Sequence, residues 1–215
     1  MKINNEYMLP VDIETRSLAI IEEEIDKELW NSIKEAVKPI VKRVIHTTAD
    51  FDYAKNLWFS EDVVEKAIAA LRDGAVIVTD TNMARSGINK GALKKYDSEV
   101  FCFMADSDVA LAAKERNVTR AYISIEKAVS LNKKVIFAIG NAPTALIRLY
   151  ELVKEGKIKP ELIIAVPVGF VNVVEAKELI MELDIPHIVA KGRKGGSNVA
   201  ASICNAILYM EGREW

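Results

Sequence analysis

Half of the 215 residues are hydrophobic and 28% are charged, the composition of a folded soluble protein rather than a disordered one. Lys and Arg number 29 against 31 Asp and Glu, a formal net charge of −2. That balance excludes a general nucleic-acid binder, which needs a basic face, but leaves room for a local anion site.

Taken in chain order, MKINNEYMLPVDIE lacks the apolar core of a secretion signal. No apolar run reaches the roughly 18 to 20 residues that cross a bilayer, so a cytoplasmic protein is expected. The first sixty residues or so read as helices: LAIIEEEI, then ELWNSIKEAVKPIVKRVIHTTA with a kink at Pro39. VVEKAIAALRDG follows and stops at Gly74. From there short, nearly continuous apolar runs alternate with helical patterns. The runs are AVIVT from Ala75, EVFCFM from Glu99, KVIFAIG from Lys134, ELIIAVPVG from Glu161 and PHIVAKG from Pro186. Such runs suit strands covered on both faces. The helical stretches are 106–116, 142–155, 172–183 and 197–210, each with apolar residues three and four apart. The expectation is one α/β domain over 1–215, with a doubly wound, mainly parallel sheet of about five strands. Residues 1–60 would form a helical layer packed on that sheet.

In such sheets ligands bind at the carboxyl ends of the strands. The residues following the five strands are Thr79 to Met83, Ala105 to Asp108, Gly140 to Thr144, Pro167 to Asn172 and Lys191 to Asn198. Glycines, small polar residues and cations collect there, beside the positive ends of the helices. GRKGGSN is the most suggestive segment. Gly195 and Gly196 allow close backbone approach, Ser197 or Asn198 can cap the next helix, and Arg193 and Lys194 add charge. It matches neither GxGxxG nor GxxxxGK followed by Ser or Thr, so an anion is indicated but not a nucleotide. In GNAPTAL, Asn141 can cap and Pro143 suits a first helical turn, as a plain helix start would require.

His46 stands at a helix end in RVIHTTADFDYA, beside Thr47, Thr48, Asp50 and Asp52, where a histidine can serve as general acid or base. His187, inside an apolar strand, reads as a satisfied core residue. Two distant histidines without a cysteine or Glu-x-x-His partner do not make a metal site. Cys102 and Cys204 lie in apolar runs and read as buried free thiols. Thr79, Asp80 and Thr81 either orient a substrate or cap the next element. Asp106 and Asp108 open a helix, and Arg120 at another helix start can clamp a carboxylate.

The ordered set PVDIETRSLAII, RVIHTTADFDYA, VIVTDTNMARSGI, VTRAYISIEKA, AIGNAPTAL, VPVGFVNVVEAKE and GRKGGSNVAASICNAI resembles the precorrin-8X / cobalt-precorrin-8 methylmutase family, collinearly over about residues 8 to 210. The resemblance implies an α/β isomerase of cobalamin biosynthesis. It would move a methyl group from ring carbon C11 to C12 of a corrinoid in a 1,5-sigmatropic shift. It implies no redox cofactor and no S-adenosylmethionine, and a homodimer with the site near the subunit interface. The histidine of the family's HTTAD motif falls on His46, which implies a general acid, with Thr47 beside it. Arg16 and Ser17 match the start motif and would contact the macrocycle, together with Thr81, Arg120, Asn141, Gly169 and Arg193 and the Gly195–Asn198 segment. Phe170, Val171 and Met83 would supply an apolar floor. The chain departs from the family where ESKE is common: Ala176 replaces serine, and Asn172 and Val173 replace small residues. Two other readings remain. A nucleotide-dependent enzyme would place its glycines after an early strand, whereas here they follow the last. A non-catalytic corrinoid carrier would bind without turnover.

Overall fold

A computed structural model describes residues 10–211. The first helix, α1 (Pro10–Glu24), leans on α3 (Lys38–Thr48), with Glu14 Oε1 2.6 Å from Arg43 Nη2 and Glu22 Oε1 2.6 Å from Lys42 Nζ. Between them α2 (Lys27–Ser32) is capped by Asp26, whose carboxylate accepts from Leu29 N–H at 2.8 Å. The kinked helix expected across Pro39 is not formed. Instead α2 ends, a single 3₁₀ turn spans Glu35–Val37, and Pro39 sits in the first turn of α3. Proline has no N–H to donate, and a first helical turn has no acceptor for one, so the chain restarts there rather than bending.

The sheet has six strands: β1 (Leu57–Phe59), β2 (Val76–Thr79), β3 (Val100–Phe101), β4 (Val135–Ile139), β5 (Leu162–Ala165) and β6 (His187–Ala190). Their order is β1-β6-β5-β4-β2-β3. The five expected strands run parallel, and β1 adds a sixth, antiparallel to β6, with Leu57 opposite Ala190. Three residues, LWF, are too few to show a period of two, and they lie inside the stretch read as helical. From β2 the chain passes outward to β3 and then returns to β4 on the other side. The switch in direction therefore falls between β2 and β4, the place where sheets of this kind bind ligands at the carboxyl ends of their strands.

Successive strand residues feed opposite faces. Ile77, Ile136, Ala138, Ile164 and Ile188 join a core with Ile40 and Val44 of α3, Leu71 of α5 (Val63–Arg72) and Ile203 and Ile207 of α12 (Ser197–Tyr209). Val76, Val78, Phe137, Ile163 and Val189 join the other core. That one contains Val109 of α8 (Ser107–Glu115), Ile125 of α9 (Arg120–Val129), Leu146 and Leu149 of α10 (Pro143–Lys154) and Ile180 of α11 (Val173–Met181). Each such Leu, Ile or Phe contributes about 1.5–3 kcal/mol by leaving water. Val199, Ala200, Ile203, Ala206 and Ile207 of α12 are all buried, because α3 and α6 (Asn82–Gly87) pack against this helix above the sheet. No helix among the described residues is long and apolar enough to cross a membrane.

Candidate functional site

At the switch point between β2 and β4 lies a buried carboxylate. Asp80 is 1% exposed. Its Oδ1 accepts from Gly140 N–H at 2.8 Å, and its Oδ2 accepts from Asn141 N–H at 2.8 Å and Ala142 N–H at 2.6 Å. Burial pushes its carboxyl group up, against the pull of the three amide donors. Asp80 is thus a fastener for the loop that opens α10. Ala142 rather than Asn141 takes the N-cap position of that helix, and it provides no side-chain cap. The loop amides are held by Asp80, so an Asn141 cap is not needed. The Asn141 side chain is left exposed at the rim.

Four loops meet around this point. Thr81 caps α6 by accepting from Ala84 N–H at 3.1 Å, and its Oγ1 lies 2.7 Å from Ser197 Oγ. Ser197 therefore faces Thr81 rather than capping α12. The N-cap position of α12 is Gly196, which offers no side chain, and Asn198 makes no cap either. A Cβ on Gly140 would lie 2.7 Å from Gly196 O and 2.8 Å from Ser197 Cα. One on Gly195 would run into the carbonyl oxygens of Val166 and Pro167, while Gly196 N–H donates to Val166 O at 2.9 Å. These glycines are required by backbone packed on backbone. Gly169 N–H reaches Arg193 O at 3.2 Å, and the Arg193 guanidinium lies 5.3 Å from the Phe170 ring centroid. Phe170, Val171 and Met83 are 81%, 76% and 72% exposed along this edge, an unusual display for large apolar residues.

The segment that follows His46 is joined to the rim by a route absent from local sequence. His46 occupies the last turn of α3 and is exposed. Ala49 then takes a left-handed conformation (φ 53°) and turns the chain into Asp50 and Asp52. Both carboxylates receive Lys194 Nζ, at 2.6 Å each. The Lys194 hydrogen bond holds the Asp50 carboxyl below its ordinary range, and Lys194 is raised in turn. The HTTADFD and GRKGG segments are thereby joined. Thr47 Oγ donates back to Arg43 O at 2.8 Å, so its hydroxyl proton is committed to the helix. Arg120 opens α9, capped by Thr119, whose Oγ1 lies 2.8 Å from Thr144 Oγ1 at the start of α10. Arg120 accordingly stands beside the Asn141 loop. The structure does not bring Arg16 and Ser17 into this group: Arg16 pairs with Glu23 at 3.1 Å, and Ser17 Oγ donates to Ile13 O at 2.8 Å.

Other candidates turn out to be scaffold. His187 is buried, with Nδ1 2.9 Å from Ile185 O. Asp106 and Asp108 both pair with Lys127 at 2.7 Å. Cys102 and Cys204 are buried free thiols, and burial pushes Cys204 up to about 12.

A profile of the family described as precorrin-8X methylmutase matches residues 12–210. The chain belongs to the precorrin-8X methylmutase family. Its relatives include the "Cobalt-precorrin-8 methylmutase" of Priestia megaterium, 43% identical over 201 residues, covering 94% of this chain and 88% of that protein. The enzyme of the same name from Salmonella typhimurium is 44% identical over 206 residues, covering 93% and 95%. The crystal structure of the precorrin-8x methylmutase from Thermus thermophilus superposes with a TM-score of 0.84 at 36% identity, covering 92% of this chain and 94% of that one. The methylmutase is an isomerase, so its site must position one molecule and rearrange it.

Of two residues that organise this rim, the sequence singles out Asp80 without its role as a fastener, and Lys177 is missed. Asp80 was visible only as one of two alternatives. Lys177 carried a signal: it occupies the apolar stripe of α11 formed by Val173, Ala176 and Ile180, where a charge is out of place. The departure at Ala176 places a fully buried methyl group in an apolar core, and Asn172 adopts a left-handed conformation (φ 56°) at the start of the helix.

Proposed function

We propose that this methylmutase acts on cobalt-precorrin-8, breaking the bond from C11 to the methyl group and forming the bond to C12. The reaction is an intramolecular shift that adds no atoms and transfers no net electrons. His46 lends a proton to the ring and takes it back as the methyl group settles. Positioned proton transfer is worth roughly 10² to 10⁴ in rate. The carboxylates around the macrocycle are received by Arg120, Arg193, the Asn141 loop and the Gly195–Asn198 helix start, with Thr81 and Gly169 shaping the edge. Binding energy from these remote groups holds the ring in a conformation ready for migration.

The observation that carries this reading is the double bridge from Lys194 to Asp50 and Asp52, which fastens the His46 segment to the glycine rim. Identity of 43% and 44% to the two relatives named for the cobalt substrate, against 35% and 33% to the enzymes of Pseudomonas aeruginosa and Sinorhizobium named for precorrin-8X, favours the cobalt-loaded form. The protein is a homodimer in this reading: a second copy covers Phe170, Val171 and Met83 over the bound ring and brings Arg16 and Ser17 to it. Two unpaired thiols fit a reducing cytoplasm. The test is a visible-absorbance titration with cobyrinic acid and hydrogenobyrinic acid, followed by turnover of cobalt-precorrin-8. Saturable shifts with turnover support the methylmutase reading; binding without turnover replaces it with a carrier.

A further inference from the structure

Lys177 is 1% exposed, one of the largest fully buried side chains in the protein. Its Nζ donates to Gly192 O at 2.7 Å and to Lys194 O at 2.9 Å. Among the described residues no ion pair reaches it, and burial alone lowers its pKa from the ordinary 10.5 to about 8. A buried ammonium without a carboxylate is a costly way to support a loop, and an apolar residue of similar size would pack there at less cost. The loop it supports is no ordinary turn. It carries Arg193, which lies against Phe170, and Lys194, which grips Asp50 and Asp52 just beyond His46. One chain of contacts runs from α11 through the backbone at 192–194 and out along the Lys194 side chain to the end of α3.

We propose that Lys177 is a positioning residue for the methyl shift: by holding the carbonyls of Gly192 and Lys194, it aims the Lys194 side chain at Asp50 and Asp52 and so fixes the segment that carries His46. The inference rests on the reading of His46 and this rim as the site. It assigns Lys177 no contact with substrate. Its effect passes through the backbone of residue 194, so residues 177 and 194 act on one step, in series.

The experiment compares Lys177→Met, Lys194→Met, the double variant and His46→Ala, each checked for a melting transition near that of the unchanged protein. The readouts are kcat and KM for cobalt-precorrin-8. Lys177→Met is expected to lower kcat by roughly 10- to 100-fold, the scale set by small misplacements of a reacting group. Lys194→Met is expected to do the same, and the double variant to be no slower than the worse single one, because both break one linkage. Lys177→Ala, which leaves space at the two carbonyls, is expected to regain turnover in ethylammonium, but not in tetramethylammonium, which has no N–H to donate. A kcat within about twofold of the unchanged protein in Lys177→Met, beside an inactive His46→Ala, overturns this inference alone. So do losses that multiply in the double variant. A fully active His46→Ala overturns the site reading and this inference with it.

Discussion

Asp80 Oδ1 lies 2.8 Å from Gly140 N, and this contact joins the end of β2 to the end of β4 at the point where the strand order reverses. The other carboxylate oxygen takes two more amides of the same loop. A side chain thus satisfies three donors that a helix start would otherwise leave to water or to ligand. Asp80→Ala is expected to lower the unfolding free energy by about 1–3 kcal/mol, the cost of a buried amide left without an acceptor, since of the three bonds only the one from Gly140 is fully buried. Asp80→Asn should fall between, because its amide nitrogen meets N–H groups with further donors. Urea unfolding followed by circular dichroism checks the order; equal stability of all three proteins would contradict it.

Gly195→Ala tests the close approach of two backbones. The added methyl group would overlap Val166 O, a main-chain atom held within the core. The loop must move away, taking Arg193 and the start of α12 with it. Corrinoid affinity is expected to fall by about tenfold or more, with a lower melting temperature, since small-to-large strain typically costs about 1–3 kcal/mol. Gly192→Ala serves as a partial control: nothing lies within 4 Å of its added Cβ, and its strain comes only from φ 75°.

His46→Ala is expected to keep corrinoid binding within a few-fold and to lose roughly 10² to 10⁴ of turnover. Single-turnover kinetics, with binding followed separately by absorbance, divides the two effects. Equal loss of binding and rate would recast His46 as a receptor group.

Arg193→Ala and Phe170→Ala address the exposed part of the rim. A guanidinium that meets a carboxylate contributes more than its stacking on a ring, so Arg193→Ala should weaken corrinoid binding by about 1–3 kcal/mol. Arg193→Lys should recover only part of that, since an ammonium cannot offer two parallel donors. An unchanged dissociation constant in Arg193→Ala would remove it from the receptor.

Lys177 should also leave a mark on the pH dependence of stability. Its folded pKa, about 8, lies below the ordinary 10.5 of the unfolded chain. Between those values the unfolded chain holds a proton that the folded chain has released, so stability rises with pH across that window. The rise amounts to about 3 kcal/mol at most, from about 1.4 kcal/mol per pKa unit. The quantity to measure is the unfolding free energy of the unchanged protein minus that of Lys177→Met. Subtraction removes the opposite slope of lysines such as Lys127 and Lys134, which ion pairs with Asp106 and Asp73 raise. A difference that stays flat from neutral pH to pH ~10 would mean that Lys177 is not desolvated.

The parallel strands were legible because VIFAI and LIIA are apolar throughout, as strands covered on both faces must be. β1 was not, since three residues show no period and its pairing with β6 is made across about 130 residues of sequence. Pro39 was visible as a disruption, but whether it bends a helix or begins one depends on what the preceding turn packs against. Within the candidate site, residue type alone singles out the glycine segments and His46 as candidates. Their meeting is not legible there. It depends on Lys194 crossing to Asp50, which is half-buried, and Asp52, which is exposed, both distant in sequence and paired as in an ordinary surface ion pair. Asn141 and Ser197 do not cap their helices: Asp80 takes the amide of the one, and Thr81 faces the hydroxyl of the other.

The place of β6 in the sheet has a bearing on how the protein comes into being. Among the described residues it is the last strand, yet it lies between β5 and β1, the first. A ribosome therefore delivers β1 and the histidine helix long before the strand that must hold them. During that interval β1 has no neighbour to pair with, and Asp50 and Asp52 have no Lys194 to receive. Contacts so far apart in sequence close late and slowly. A nascent methylmutase would carry the His46 helix unfastened until Lys194 had emerged, so the two sides of the rim come together only after β6 is made.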